Sequence, residues 1–166
     1  FTKPLIAAAD GVAIGIGTTL LLHCDLVVVH AQAQLKLPFV ELGLCPEAAS
    51  SLLLPNTIGY QKAAQMILLS ESISGQDAFD WGLANAVTQG PSIDQAMVYA
   101  KRLASLPTAS VLLSKQLLKE GTRLSVPERL NLEAEHFVQR LKSPDAIEAF
   151  TAFLQKRPAV FHKNET

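Results

Sequence analysis

The most constraining feature of this sequence is an apolar strand that leads through a turn and two glycines into a helix and a second strand. Residues 4–9 form a continuous apolar run, Asp10-Gly11 is typical of a turn, and Gly15 and Gly17 precede an apolar helix over residues 18–22. Residues 25–30 are apolar and rich in β-branched side chains. Because only a helix separates the two strands, they are expected to pair in parallel. The sequence therefore predicts an α/β fold.

The rest of the chain predicts short elements up to residue 88 and helices after it. We expect an edge strand at residues 33–37 and a further strand at 84–87. One helix is expected to begin at Glu47 and to end at Pro55, and another is expected at 58–69. A third is expected to begin at a capping box of Ser74 and Asp77 and to end at Gly82. A further helix is expected at 93–104, and three more are expected to begin near Thr108, Ser125 and Ser143. Ser125 and Glu128 form the predicted cap of the second of these three. The last one has Ile147, Phe150 and Phe153/Leu154 on one face. We therefore predict a β/α core over residues 1–88 and a helical C-terminal region over 89–166.

The composition indicates apolar surface beyond the needs of a lone domain. Hydrophobic residues make up 49% of the chain and charged residues 17%, against about 25% charged residues in ordinary soluble domains. Such a surface is covered either by subunit packing or by a segment absent from the sequence. We expect both. Residues 1–7 carry no initiator Met and enter a strand at once, so the N-terminal part of the core is expected to be absent here.

Charge and cysteine usage exclude several classes of function. The net charge is −1 and the charged residues are scattered, so no basic stripe could bind nucleic acid. No apolar run reaches the length of about 18 residues that a membrane span requires, and no signal peptide opens the chain. Cys24 and Cys45 form no C-x-x-C motif and the histidines no H-x-x-x-H motif. We expect a cytoplasmic protein without a metal, membrane or nucleic-acid partner.

The glycine segment Gly15-Ile16-Gly17 allows two interpretations. A dinucleotide-binding G-x-G-x-x-G motif is excluded because position 20 is Leu20. A backbone N–H at the start of the helix, such as that of Ile16, could stabilise a developing oxyanion. Alternatively, the glycines only allow the helix to pack closely on the strand.

Glu47 is the main candidate for acid/base chemistry. It follows Pro46 at a predicted helix start, where an acidic residue is also ordinary because it complements the helix dipole. The preceding loop is apolar, and small residues follow, so the carboxylate could lie in an apolar pocket that makes it a better base. Glu41 is a weaker candidate for this chemistry. The residues His23-Cys24-Asp25 cannot form a catalytic triad, because adjacent residues at a helix end do not face one another, so His23 is interpreted as structural.

Several segments resemble the crotonase (enoyl-CoA hydratase/isomerase) superfamily. The resemblance covers essentially the whole chain and lies in residues 3–17 (KPLIAAADGVAIGIG), 23–27 (HCDLV), 73–83 (ISGQDAFDWGL) and 149–157 (AFTAFLQKR). It implies a ClpP-like ββα-spiral core with a helical C-terminal region that forms a trimer or a dimer of trimers, a hexamer. It also implies an upstream segment carrying a further oxyanion donor.

Departures from the superfamily pattern indicate the reaction. The two positions where hydratases carry their catalytic glutamates are Thr19 and Phe39 in this chain. The pattern of Pro38-Phe39, Leu42-Gly43 and residues 46–51 instead resembles the peroxisomal-type Δ3,Δ2-enoyl-CoA isomerases, whose single catalytic glutamate falls at Glu47. Adding water requires groups that position it, whereas moving a double bond requires one base.

The resemblance implies specific roles in acyl-CoA isomerisation. Glu47 would carry a proton from C2 to C4, and the N–H of Ile16 would stabilise the dienolate oxygen. Substrate-binding roles are expected for Gly15, Gly17, Thr19, Phe39 and Lys156, the last near a CoA phosphate. CoA is part of the substrate, so no separate cofactor is expected. The alternatives are another crotonase reaction, such as hydration or thioester hydrolysis, and a non-catalytic acyl-CoA-binding or interaction domain.

Overall fold

The computed structural model describes residues 1–42, 44–120, 135 and 138–161, with the side chain of Phe153 excepted. It contains two compact units, Pro4–Ala100 and a second unit formed by Phe1–Lys3 with Lys101–Thr166. The boundary falls within one helix, α5 (Ser92–Ala104). The predicted division at residue 88 and the role of residues 89–166 in trimerisation stay predictions.

The first sheet of the unit Pro4–Ala100 is fully parallel. It contains β1 (Ile6–Ala9), β3 (Leu26–His30) and β6 (Ala86–Thr88) in the order β1-β3-β6, with Ala8 opposite Val28. The central strand β3 is buried on both faces, as its continuous apolar run favours. The predicted parallel pairing of the first two long strands is therefore confirmed.

The second sheet corrects one prediction. It contains β2 (Val12–Ile14), β4 (Gln34–Lys36) and β5 (Ile73–Ser74) in the order β2-β4-β5. A strand does form within the predicted residues 33–37, but the prediction that it is an edge strand is wrong, because β4 lies in the middle of the sheet. Its partner β2 was not predicted as a strand, since three residues between two glycines are too few to show a strand period.

Short helices connect the strands of these sheets, and one of them starts at a side-chain cap. They are α1 (Ile16–Thr19), a 3-10 helix (Leu20–His23), α2 (Ser50–Ile58), α3 (Tyr60–Leu68) and α4 (Gly75–Asp80). The predicted capping box is confirmed: Ser74 Oγ accepts from the N–H of Asp77 at 3.0 Å, and Asp77 Oδ2 accepts from the N–H of Ser74 at 2.9 Å. Helix α2 corrects another prediction, because it continues through Pro55 and ends at Ile58.

The core of this unit is one apolar cluster. Its members share complete or nearly complete burial, and they include Leu35, Leu37, Leu54, Met66, Val29, Val27 and Phe39. Helix α4 packs so closely on β3 that a Cβ at Gly75 would lie 1.9 Å from the carbonyl oxygen of His30. A glycine is therefore required at that crossing.

The second unit contains the end of α5 with α6 (Thr108–Glu120) and α7 (Pro144–Leu154). Both later helices begin close to the predicted residues 108 and 143. Ile147 and Phe150, on the predicted apolar face of α7, are each 59% exposed. The predicted capping box of Ser125 and Glu128 lies outside the described residues. Within the described ranges, no helix is long and apolar enough to span a membrane.

Candidate active site

Helix α1 presents free backbone N–H groups at its first turn. The carbonyl oxygen of Gly15 accepts from the N–H groups of Thr18 and Thr19, each at 2.9 Å. Among the residues that the structure describes, the N–H groups of Ile16 and Gly17 donate to no acceptor. The first N–H groups of a helix have no partner within it, so these two are available to an oxyanion.

Gly15 and Gly17 differ in whether the structure requires a glycine at their position. Gly15 adopts φ 56° and ψ −117°, a conformation that favours glycine, and an added Cβ would meet nothing within 4 Å. A Cβ at Gly17 would lie 3.7 Å from the Cβ of Ala13, an ordinary contact. Close packing of the helix on the strand therefore does not require either glycine, and the backbone conformation requires Gly15.

The carboxylate of Glu47 is hydrogen-bonded to the same helix. Thr19 Oγ1 donates to Glu47 Oε1 at 2.7 Å. Thr19 is completely buried at 0% exposure, whereas Glu47 is exposed. A buried hydroxyl of α1 thus attaches an accessible carboxylate to the helix that carries the free N–H groups.

The backbone beside Glu47 is held by two further side chains. The ring Nε2 of His23 donates to the carbonyl oxygen of Ala48 at 2.8 Å, since a carbonyl can only accept. The N–H and the hydroxyl of Ser50 donate to the carbonyl oxygen of Glu47 at 2.9 and 2.7 Å. Ala48 and Ala49 adopt φ 50° and 55°, in the left-handed region that non-glycine residues rarely adopt.

These contacts correct the predicted helix start at Glu47. Helix α2 begins at Ser50, because the left-handed residues Ala48 and Ala49 separate it from Glu47. Sequence reasoning interpreted His23 as structural and missed that His23 and Ser50 both hold the Glu47 segment. The local sequence indicates only that His23 lies at the end of a predicted helix. It does not reveal that the hydrogen-bond partner of His23 lies 25 residues away.

The predicted apolar pocket around Glu47 is open in this chain. Leu42 and Leu44 are 67% and 60% exposed, and Ile16 is 62% exposed. They offer apolar surface near the loop and the helix but leave Glu47 exposed to water. The described residues thus form one wall of a site, in which the Glu47 carboxylate is hydrogen-bonded to Thr19 of α1, the helix whose first turn carries two free backbone donors.

The remaining predicted site residues lie in different surroundings. Phe39 is 6% exposed and belongs to the core cluster of the unit Pro4–Ala100. Lys156 belongs to the other unit, where it follows α7 with φ 52° and is exposed. Among the described residues, no group of three or more His, Cys, Asp or Glu side chains could hold a metal ion.

Known proteins resemble this chain over almost all of its length. The profile of the enoyl-CoA hydratase/isomerase family matches residues 1–164. The chain is 35% identical over 162 residues to 1,2-epoxyphenylacetyl-CoA isomerase of Escherichia coli K12, covering 96% of the chain and 61% of that protein. It is 31% identical over 159 residues to enoyl-CoA delta isomerase 2 of Rattus norvegicus, covering 95% of the chain and 41% of that protein.

The fold is shared as well. The crystal structure of an enoyl-CoA hydratase from Polaromonas sp. JS666 matches with a TM-score of 0.92 at 31% identity, covering 98% of the chain and 63% of that protein. The chain thus spans less than two thirds of each of these relatives. The predicted crotonase-type α/β fold is confirmed, and the chain belongs to the enoyl-CoA hydratase/isomerase family, a part of the crotonase superfamily.

Proposed function

We propose that the protein containing this chain is a Δ3,Δ2-enoyl-CoA isomerase that uses Glu47 as its single acid/base. The observation that carries the proposal is the hydrogen bond of 2.7 Å that joins the accessible Glu47 carboxylate to α1, whose first turn has two free N–H groups. Membership in the family and the relative named enoyl-CoA delta isomerase 2 support an acyl-CoA substrate.

The proposed reaction needs one base and one oxyanion site. Glu47 removes a proton from C2 of a 3-enoyl-CoA. The electron pair of that C–H bond forms a double bond between C1 and C2, and the carbonyl pair moves to the thioester oxygen, which gives a dienolate conjugated with the C3–C4 double bond. The N–H of Ile16 stabilises that oxygen; one such donor contributes roughly 3 to 4 kcal/mol in a transition state. Glu47 then returns the proton at C4, which gives the 2-enoyl-CoA without any other reactant.

The residues at positions 19 and 39 favour isomerisation over hydration. A hydratase must position water and exchange protons with it, for which the family resemblance assigns carboxylates to these positions. Here the hydroxyl of Thr19 is hydrogen-bonded to Glu47, and Phe39 is an apolar side chain in the core. Neither offers a second carboxylate, so Glu47 is the base that we assign.

The other proposed roles extend this site to the rest of the substrate. The backbone at Gly15 and Gly17 would shape the acyl side, and Phe39 would support that side from the core. Thr19 would act on the bound substrate only through its hydrogen bond to Glu47, and Lys156 would approach a CoA phosphate. CoA enters as part of the substrate, so we propose no separate cofactor. The exposed apolar side chains of α7 support a homo-oligomer, proposed as a trimer or hexamer.

The test is to follow the intact protein with a 3-enoyl-CoA and with a 2-enoyl-CoA by chromatography. We expect the 3-enoyl-CoA to be converted to the 2-enoyl isomer; 3-hydroxyacyl-CoA as the main product would instead identify a hydratase, and free CoA a thioesterase. Glu47→Gln is expected to lower kcat by about 10²- to 10⁴-fold, since a general base is lost. Glu41→Gln is the matched control, because Glu41 is an exposed carboxylate that pairs with Lys36 at 2.8 Å. Full turnover in Glu47→Gln would remove this residue from the mechanism.

A further inference from the structure

Thr19 has a single proton to donate and two possible acceptors. Its Oγ1 lies 2.7 Å from Glu47 Oε1 and 3.4 Å from the carbonyl oxygen of Ile16. A hydrogen bond to an ionised carboxylate is stronger than one to a neutral carbonyl, and the shorter distance is to the carboxylate. The hydroxyl proton of Thr19 therefore points at Glu47.

Nothing else among the described residues holds the carboxylate of Glu47. Ser50 and His23 act on the backbone of residues 47 and 48, and within the described part of the chain Thr19 is the one side chain that donates to a Glu47 carboxylate oxygen. An exposed glutamate otherwise samples many rotamers, and ordering it has an entropic cost. Thr19, by contrast, has no such freedom, because it is fully buried in α1.

We propose that Thr19 is the positioning residue of Glu47 and that it assigns the proton transfer to one oxygen, Oε2. With Oε1 held by the hydroxyl, Oε2 is the oxygen left to face the substrate. The same oxygen then takes the proton from C2 and returns it at C4, so both transfers occur on one face of the dienolate. This inference rests on the proposed function and adds the group that orients its base.

The position of the base decides the rate because proton transfer requires a short, aligned contact. A displacement of about 1 Å in a catalytic group can lower the rate by about 10²-fold without preventing substrate binding. Removing the hydroxyl of Thr19 should therefore lower kcat and leave KM for the acyl-CoA nearly unchanged. Loss of the protein's fold would lower both the amount of active protein and its stability.

The test compares three variants of the intact protein. Thr19→Val keeps the shape of the side chain and removes the donor; we expect kcat to fall about 10- to 100-fold with KM within about 2-fold. Thr19→Ser restores the hydroxyl and is expected to recover most of kcat. Thr18→Val is the matched control, because Thr18 is 1% exposed in the same turn and its hydroxyl donates to the carbonyl oxygen of Ala13. We expect it to lose stability like Thr19→Val but to keep kcat.

The double variant Thr19→Val/Glu47→Gln separates this inference from the proposed function. If Thr19 acts through Glu47, the valine has no further effect once Glu47 is replaced. If Glu47→Gln is inactive but Thr19→Val keeps the wild-type kcat, the role of Thr19 is overturned and the proposed function is not. A kcat of Thr19→Ser no higher than that of Thr19→Val would have the same meaning. Full activity in Glu47→Gln would overturn both proposals.

Discussion

Replacing Gly15 by alanine tests whether the turn before α1 creates the oxyanion site. The residue adopts φ 56° and ψ −117°, and an added Cβ would meet nothing within 4 Å. The change therefore introduces backbone strain without a steric clash. A non-glycine residue in such a region costs about 1 to 3 kcal/mol, and the strain falls on the peptide that leads to the N–H of Ile16.

Gly11→Ala is the matched control for this prediction. Gly11 lies in the turn before β2, whereas Gly15 follows that strand; a Cβ at Gly11 also meets nothing within 4 Å, and its φ is outside the left-handed region. Both replacements reduce the entropy of the unfolded chain equally, which stabilises by about 0.4 to 1 kcal/mol. The difference between the two variants therefore isolates the strain at Gly15.

The assay is urea unfolding of the intact variants together with kcat/KM for a 3-enoyl-CoA. We expect Gly15→Ala to be less stable than Gly11→Ala by about 1 to 3 kcal/mol and to have a lower kcat/KM, because relief of the strain rotates the Ile16 N–H. Equal unfolding free energies and equal kcat/KM in the two variants would refute the argument that this conformation is required.

Two further predictions concern the capping box and the C-terminal end of α7. The hydroxyl and the N–H of Ser74 hold the pKa of Asp77 below its ordinary value of 3.8, so its stabilising effect is present above that pH and is lost as the pH falls through the lower folded value. Asp77→Asn should therefore lower the unfolding free energy at neutral pH and converge with the wild type in acid; a constant difference at every pH would contradict this. Lys156→Gly should raise the unfolding free energy by about 1 kcal/mol, because φ is 52° at this position and glycine adopts that conformation without strain. The same replacement should raise KM for acyl-CoA if the lysine contacts a CoA phosphate. An unchanged KM would remove the phosphate contact, and an unchanged stability would contradict the strain.

Most of the local structure could be predicted from neighbouring residues. The capping box at Ser74 and Asp77 forms within four consecutive residues, and the parallel pairing of β1 with β3 was predicted from the two apolar strands and the helix expected between them. The helix starts near residues 108 and 143 were predicted for the same reason. Such signals are local, because capping and amphipathic spacing act over one or two turns.

The candidate site could be predicted only in part. The sequence indicated Glu47 and the turn at Gly15 to Gly17 but predicted a helix at Glu47 where the chain has left-handed residues. It also predicted an apolar pocket where the described residues leave Glu47 exposed. An alanine pair gives no local sign of positive φ, and the hydrogen bond from His23 to Ala48 comes from 25 residues away.

The sequence alone determined the α/β class, the parallel pairing of β1 with β3, the family and the absence of carboxylates at positions 19 and 39. These properties depend on residue types and on their spacing within several short segments along the chain. The tertiary structure decided which residues meet: β2 with β4, and Thr19 with Glu47 across 28 positions. Such contacts depend on how the whole chain closes on its core, and no periodicity of neighbouring residues encodes them.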